Sequence, residues 1–178
     1  MLGPADDFLI HQTHEPVAYA GTSDRRFYDR YFFTGHRCDG SLYFMLGMGV
    51  YPNLGVIDAF ASVALGARQV TTRGSRELGA DRMNTQQVGT LGIEVLEGLR
   101  RLRLWGAPGE AVSFDLEWTG AVPMFEEPPL FDRRLGRVME QATRVVQTGC
   151  WRGYLEVEGV RIELDPATAW GGRDRSWG

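Results

Sequence analysis

Two arginine-rich segments of the sequence contain carboxyl groups that could carry out proton transfer. Residues 23–31 include Asp24 and Asp29, and residues 173–178 include Asp174 between two arginines. A carboxyl positioned by neighbouring guanidinium groups can act as a general acid on an apolar substrate, although an acid flanked by two arginines is expected to stay ionised. The structural alternatives are a solvated rim of local ion pairs for residues 23–31 and, for residues 173–178, a corner in which tryptophan plugs a barrel end.

Aromatic and amide side chains supply the candidate contacts to an apolar ligand. In residues 42–51 the odd and even positions point to opposite faces of a predicted strand, and neither face carries a charge. Such a strand is buried on both sides, or has a core on one side and a ligand cavity on the other, where Gly47 and Gly49 would leave room. A few polar groups usually orient a ligand in an apolar site. The candidate ligand-binding residues are Tyr31, Tyr43, Phe44, Tyr51, Asn53, Trp118, Trp151 and Trp177.

Sequence motifs for phosphate, metal or nucleophilic chemistry are not found. There is no glycine-rich phosphate loop, no His-Glu-x-x-His motif and no nucleophile elbow. His11 and His14 have a spacing that can bind a metal ion, but no third ligand is evident nearby. Cys38 and Cys150 lack metal-ligand spacing and are expected to be free thiols. We therefore expect no metal site and no cofactor.

Composition limits the class of protein. The 178 residues are 43% hydrophobic, which is enough for one domain with a core, and the net charge of −4 without a basic stripe argues against nucleic-acid binding. The start of the chain does not resemble a secretory signal, which predicts a cytoplasmic location. Residues 40–57 are uncharged, but the turn at residues 52–55 predicts two strands rather than a membrane span.

The hydrophobic pattern predicts an all-β fold with little helix. Short alternating segments follow one another at intervals of roughly ten residues, as in an antiparallel up-and-down barrel or sandwich. Asp39-Gly40 and Glu158-Gly159 predict tight hairpin turns. Residues 133–147 fit both helical and strand spacing, and we expect a short turn followed by a strand. Residues 1–27 are expected to form an irregular lead-in to a single domain spanning residues 1–178.

Several segments together resemble a known group of bacterial proteins. They are DRRFYDRYFF at 24–33, LYF at 42–44, VYPNLGVID at 50–58, GCWRG at 149–153 and WGGRDRSWG at 170–178. A largely uncharacterised family similar to the AttH and hydroxyneurosporene synthase (carotenoid hydratase) group of calycin-like proteins carries such segments. The resemblance covers most of the chain and implies lipocalin-like barrels or sandwiches packed side by side.

The resemblance also implies a chemistry and a partner. Relatives in the wider group add water to terpenoid or polyketide double bonds, or cyclise them, usually without a cofactor, and Asp174 is the acid candidate. Members usually continue beyond the RDRSWG segment, so a second lipocalin-like domain, or another copy of this chain, is an expected partner. The sequence thus predicts binding of a terpenoid-, steroid- or polyketide-like molecule in a barrel cavity. The alternatives are a cofactor-independent hydratase, cyclase or isomerase, and the structural half of a two-domain protein.

Overall fold

The computed structural model describes residues 2–178, whose regular structure consists almost entirely of β-strands. The helical segments in that range are two short 3-10 turns, Pro4–Asp7 and Arg82–Asn84. All strand pairings are antiparallel, as the sequence predicted. The strands are β1 Asp29–Arg37, β2 Tyr43–Tyr51, β3 Val56–Leu65, β4 Arg68–Glu77, β5 Gln87–Val88, β6 Leu91–Glu97, β7 Arg101–Gly106, β8 Val112–Gly120, β9 Phe125–Glu126, β10 Leu130–Arg134, β11 Arg137–Val157, β12 Val160–Leu164 and β13 Ala169–Trp177.

The strands form one sheet that curls into a nearly closed barrel. Their spatial order is β4-β3-β2-β1-β13-β11-β8-β7-β6-β5. The backbone N–H of Val112 in β8 donates to Thr72 Oγ1 in β4 at 3.0 Å, so strands far apart in this order come together. Arg76 Nε in β4 likewise donates to the carbonyl of Gln87 in β5 at 3.2 Å. The all-β, antiparallel barrel predicted from the sequence is therefore confirmed.

The long strand β11 connects most of the other elements. Its 21 residues pair successively with β10, β9 and β8 along one edge and with β13 and β12 along the other. The expected turn and strand within residues 133–147 are present, with the turn at Leu135 and Gly136, both at positive φ. Pairing with neighbouring strands decides between helix and strand in this segment, and the local spacing of residues does not reveal those partners.

Strand β13 is the element that the sequence pattern did not reveal. Residues 170–178 suggested a corner, but Ala169–Trp177 forms a strand between β1 and β11. Gly171 allows this close pairing, because a Cβ there would lie 2.0 Å from the Thr34 carbonyl oxygen. The arginine-rich segment is thus part of the centre of the sheet.

Alternate side chains of the strands fill the barrel interior. In β2, Phe44, Leu46 and Met48 are buried on the inner face, as the two-faced pattern predicted. An aromatic cluster of Phe33, Phe44, Trp118 and Trp151 lies at the centre, and each of its members is 0% exposed. The Trp118 and Trp151 rings meet edge to face at 5.0 Å, and Phe44 contacts Trp151 at 5.4 Å. Packing of this kind leaves the central interior filled by side chains.

Residues 2–28 contain no strand and are tied to neighbouring loops. Asn53 Nδ2 donates to the carbonyls of Thr22 and Asp24, each at 2.7 Å. The Asp6 carboxylate accepts from the backbone N–H of Gly3 at 2.7 Å and of Val17 at 2.6 Å. The Asn53 bonds hold this irregular segment to the loop at residues 52–55, and Arg82 Nη2, which donates to the carbonyl of Ala18, ties it to the loop at residues 78–84.

The uncharged residues 40–57 form parts of two strands and a turn, as predicted. Strand β2 ends at Tyr51 and β3 begins at Val56. Within residues 2–178, no helix combines the length and the apolar character that crossing a membrane requires.

A substitution at Gly35 tests the packing of the aromatic cluster. A Cβ at this position would lie 2.0 Å from Phe44 Cζ, and Phe44 cannot move aside because its ring is fully buried against Trp151. We expect Gly35→Ala to lower the free energy of unfolding by roughly 1–3 kcal/mol. The matched control is Gly98→Ala, since nothing lies within 4 Å of a Cβ there. Urea unfolding followed by tryptophan fluorescence measures both, and equal midpoints would contradict the packing described.

Candidate functional site

The outer face of strands β4, β3, β2, β1, β13 and β11 carries two grooves. On β2 this face contains Gly47 and Gly49, where rings from neighbouring positions occupy the space of the missing side chains. A Cβ on Gly47 would lie 2.4 Å from the Phe60 ring, and one on Gly49 would lie 2.8 Å from the Tyr51 hydroxyl. The room that these glycines leave on the second face of β2, which is the outer face of the barrel, is therefore occupied by the side chains of Phe60 and Tyr51.

The first groove, named here the Asp174 groove, lies over β1, β13 and β11 and has a volume of about 420 Å³. Its walls are mainly apolar, with one carboxyl group and two threonines. The lining residues are Phe32, Thr34, Val122, Pro123, Phe125, Val146, Gln147, Thr148, Gly172, Arg173 and Asp174.

Strand register places Asp174 between apolar neighbours. Asp174 pairs with Phe32 of β1 on one side and with Val146 of β11 on the other. Side chains directly opposite one another in antiparallel strands lie on the same face. Phe125 of β9 pairs in turn with Val146. The groove is therefore a row of apolar side chains, with the carboxyl of Asp174 near its middle.

The carboxyl group of Asp174 is easier to protonate than an ordinary aspartate. Burial is the main cause that raises its pKa above 3.8, and the guanidinium groups of Arg144 and Arg30 oppose this shift in part. The Ser176 hydroxyl lies 3.5 Å from Asp174 Oδ1 and also lowers the pKa slightly. A partly desolvated carboxyl in an apolar groove can deliver a proton to a bound molecule.

The two arginines that flank Asp174 in the sequence do not lie beside its carboxyl group, and whether that group is ionised stays a prediction. Side chains alternate along a strand, so Arg173 and Arg175 point to the barrel interior while Asp174 points outward. Arg175 instead forms an ion pair with Asp29 and lies 4.6 Å from the Tyr31 ring centroid. Adjacency in the sequence therefore did not mean proximity of the charges.

The three acid candidates do not meet in one site. Asp29 is the first residue of β1 and forms an ion pair with Arg175. Its side chain lies on the inner face of the sheet, opposite to Asp174. Asp24 is exposed in a turn, where its carboxylate accepts the backbone N–H of Arg26 at 2.8 Å. Among the three, Asp174 is the one that lines a groove.

The aromatic candidates also separate into distinct places. Phe44, Trp118 and Trp151 belong to the interior cluster and have no exposed surface. Tyr31 stacks on Phe33 inside the barrel at 6.0 Å, and Trp177 is 38% exposed near Arg175. None of these five residues lines the Asp174 groove. Their role as ligand contacts stays a prediction.

Two of the three polar candidates, Tyr43 and Asn53, lie outside both grooves. Tyr43 is 43% exposed on the outer face of β2. Asn53 uses its amide to hold residues 22–24, which is a structural role.

The third, Tyr51, interacts with an acid beside a second groove. This Asp58 groove has a volume of about 600 Å³ and is lined by Met45, Asp58, Ala59, Phe60, Ser62, Gln69, Thr71, Arg73, Gly74 and Ser75. Burial raises the pKa of the Asp58 carboxyl, while its hydrogen bond with Tyr51 lowers it. Burial and the nearby Asp58 charge raise the pKa of Tyr51. Sequence reasoning missed Asp58, although it is the only charged residue of β3.

The aromatic pair Phe32–Phe60 separates the two grooves. Phe32 lines the Asp174 groove and Phe60 lines the Asp58 groove, and their ring centroids are 6.4 Å apart.

In residues 2–178 no cluster of three metal-ligating side chains is found. His11 contacts Asp6 at 2.9 Å and His14 contacts Glu15 at 3.3 Å.

Several solved structures share this fold. The crystal structure of kievitone hydratase from Nectria haematococca matches with a TM-score of 0.61 and 16% identity, over 84% of this chain and 47% of its own. CghA matches with a TM-score of 0.58 and 15% identity, over 85% of this chain and 45% of its own. CghA with Sch210972 matches with a TM-score of 0.58 and 17% identity. This chain therefore spans less than half the length of the structures it matches, and at these identities the likeness shows the fold alone.

No protein with a curated description matches the sequence. The model of a family of unknown function, DUF8625, matches residues 2–178. Since that match covers almost the whole sequence, the chain belongs to the DUF8625 family.

Proposed function

We propose that the protein binds a hydrophobic small molecule of terpenoid, steroid or polyketide type, and that the Asp174 groove is its site. The observation that carries the proposal is an apolar groove with one partly buried carboxyl group, formed by Phe32, Val146 and Asp174 on three adjacent strands. Apolar walls with a few polar groups are typical of small-molecule sites. This places the ligand outside the barrel, whereas the sequence suggested a cavity within it.

The size of the groove supports this proposal. Its volume of about 420 Å³ falls within the range of roughly 300–1,000 Å³ that is usual for small-molecule sites. Phe125 is 61% exposed at the rim, so a bound molecule would cover apolar surface that now faces water. The interior of the barrel offers less space for a ligand, because the aromatic cluster fills its centre.

Narrowing the groove tests where the ligand binds. We expect Val146→Phe to weaken binding of farnesol, a neutral terpenoid probe, by at least about tenfold, because the larger ring occupies the groove. Val138→Phe is the matched control, since Val138 lies on the same strand, is 53% exposed and does not line the groove. Quenching of the intrinsic tryptophan fluorescence measures the dissociation constants. Equal affinities for both variants would place the ligand elsewhere.

A second candidate function is cofactor-independent catalysis with Asp174 as the general acid. The raised pKa of this carboxyl favours it, and one structure of the same fold is named as a hydratase. The Asp174 proton would add to one alkene carbon, using the π electrons to form the C–H bond and leaving a cation on the other carbon. Water would capture that cation and return a proton to the carboxylate, and the rings of Phe32 and Phe125 would stabilise the cation. The predicted similarity to AttH and hydroxyneurosporene synthase agrees with this chemistry.

Two asparagine variants test the catalytic role. If the protein is a hydratase, Asp174→Asn abolishes formation of the product that gains one water, whereas Asp24→Asn keeps it because Asp24 lies in an exposed turn. Mass spectrometry of reactions with isoprenoid alkenes in ¹⁸O-labelled water detects that product. Circular dichroism checks that both variants fold. Loss of product in Asp24→Asn but not in Asp174→Asn would instead assign the general-acid role to Asp24.

The pH dependence gives a second readout of the same prediction. The protonated carboxyl is the active form, so kcat/KM should be constant at low pH and fall as the pH rises through the pKa of Asp174. Burial raises this pKa above 3.8, so the fall should occur at higher pH than an ordinary aspartate would give. A rate that increases with pH through this range would contradict a general acid at Asp174.

A third possibility is that the chain is one half of a larger assembly. It spans less than half of the matched chains, and the β10–β11 hairpin exposes Phe131 and Met139 at 57% each. A second lipocalin-like domain or another copy of the chain would then cover this apolar surface. Sedimentation equilibrium would show self-association that Phe131→Ser weakens, and a monomer at all concentrations would exclude the second copy. The cytoplasmic location stays a prediction.

A further inference from the structure

The Asp58 groove, on the outer face of β2, β3 and β4, is much more polar than the Asp174 groove. Strand register places its polar side chains on one face of the sheet, with Asp58 opposite Ser75 and Ser62 opposite Thr71. Its volume of about 600 Å³ is within the range of roughly 300–1,000 Å³ that is usual for small-molecule sites. The polar lining residues are Asp58, Ser62, Gln69, Thr71, Arg73 and Ser75.

An aromatic ring lies among these polar groups. Phe60 pairs with Gly47 of β2 on one side and with Arg73 of β4 on the other. Because Gly47 has no side chain, the ring extends over β2, where a Cβ on that glycine would lie 2.4 Å from it. Phe60 is half-buried and lines the groove, so part of its ring is open to a ligand. The negative face of an aromatic ring attracts C–H groups that neighbouring oxygens have made partly positive.

A chain of neutral hydrogen bonds forms one wall of the groove. Gln69 Nε2 donates to Ser62 Oγ at 2.9 Å, and the hydroxyl oxygens of Ser62 and Thr71 are 2.8 Å apart. Ser62 is 4% exposed, so its two partners hold a buried hydroxyl in place. With Ser62 donating to Thr71, the Thr71 hydroxyl is free to donate to a ligand, and Gln69 Oε1 is free to accept. This wall therefore offers one donor and one acceptor at fixed positions.

One carboxylate and one guanidinium group provide the strongest hydrogen-bonding positions of the groove. The Asp58 carboxyl bonds to the Tyr51 hydroxyl, which leaves it able to accept a further hydrogen bond. Within residues 2–178 the side chains of Arg73 and Ser75 form neither a hydrogen bond nor an ion pair, so all of their donors are available. The two opposite charges balance, which suits a neutral ligand better than an anion or a cation.

We propose that the Asp58 groove is a second binding site and that its ligand is a neutral pyranose sugar. The C–H face of the sugar ring packs on Phe60, while its hydroxyl groups donate to Asp58 and accept from Arg73. Sugar hydroxyls both donate and accept, as the mixture of groups in this groove requires. An apolar molecule would instead leave these polar groups without partners, which is unfavourable. The inference goes beyond the apolar ligand proposed for the Asp174 groove and does not depend on it.

The test is an NMR titration of the ¹⁵N-labelled protein with the methyl pyranosides of glucose, galactose, mannose and xylose. We expect saturable binding of at least one of them, with the largest amide shifts at Gly47, Phe60 and Arg73. Phe60→Leu keeps an apolar side chain but loses the ring, and should weaken that binding at least about tenfold. Arg73→Gln should weaken it at least about threefold. The matched control is Arg152→Gln, which removes the same charge from an exposed position of β11 outside the groove and should bind like the wild type.

Three reference compounds separate a sugar site from the alternatives. Cyclohexanol has a ring with one hydroxyl and sorbitol has many hydroxyls without a ring, so both should bind at least about tenfold more weakly than the best glycoside. Equal binding of cyclohexanol would show an apolar site and overturn the proposal. Binding of sulfate without binding of any glycoside would show an anion site and overturn it too, as would no binding at all. If Phe60→Leu does not fold, Arg73→Gln and the positions of the shifted amides still decide. Farnesol binding concerns the other groove, and its presence or absence does not affect these outcomes.

Discussion

The edge-to-face contact of Trp118 and Trp151 is the interaction on which the remaining architecture depends. These two rings meet at 5.0 Å on adjacent strands and, with Phe33 and Phe44, fill the centre of the barrel. An interior occupied by large rings stabilises the fold through burial, but it leaves little space there for a ligand. Open space occurs instead on the outer face, where Gly172 reduces the bulk of the sheet in the Asp174 groove.

The site follows from how a strand distributes its side chains. In residues 173–175 the two arginine side chains point into the barrel and the aspartate side chain points outward. A single tripeptide therefore contributes side chains to both the interior and the groove. Gln147 links the two faces, because it contacts Arg173 and Trp118 within the barrel and Val122 in the groove wall. One amide therefore connects the groove wall to the aromatic cluster.

The fold class was predictable from the sequence, and much of the site was not. The uncharged run at residues 42–51 and the Asp39-Gly40 turn are local signals, so the hairpins and the all-β class could be inferred. The strand β13 and its partners depend on pairing across more than 130 residues, which no local pattern records. Asp174 was found because it is a carboxyl in an arginine-rich segment, but its raised pKa was not, since that depends on burial between Phe32 and Val146 of neighbouring strands. Asp58 was missed because its hydrogen bond with Tyr51 depends on the missing side chain of Gly49.

The position of β13 has a consequence for how the molecule is made. This strand follows all the others along the chain, yet it lies between β1 and β11, near the middle of the sheet order. During synthesis the meander β1–β4 can form early, but its edge at β1 must wait unpaired until residues 169–177 have left the ribosome. Contacts between such distant residues also slow folding. The nascent protein therefore exposes the open edge of β1 until β13 has been made, and a chaperone that covers such edges would benefit this fold more than one built from sequential hairpins alone.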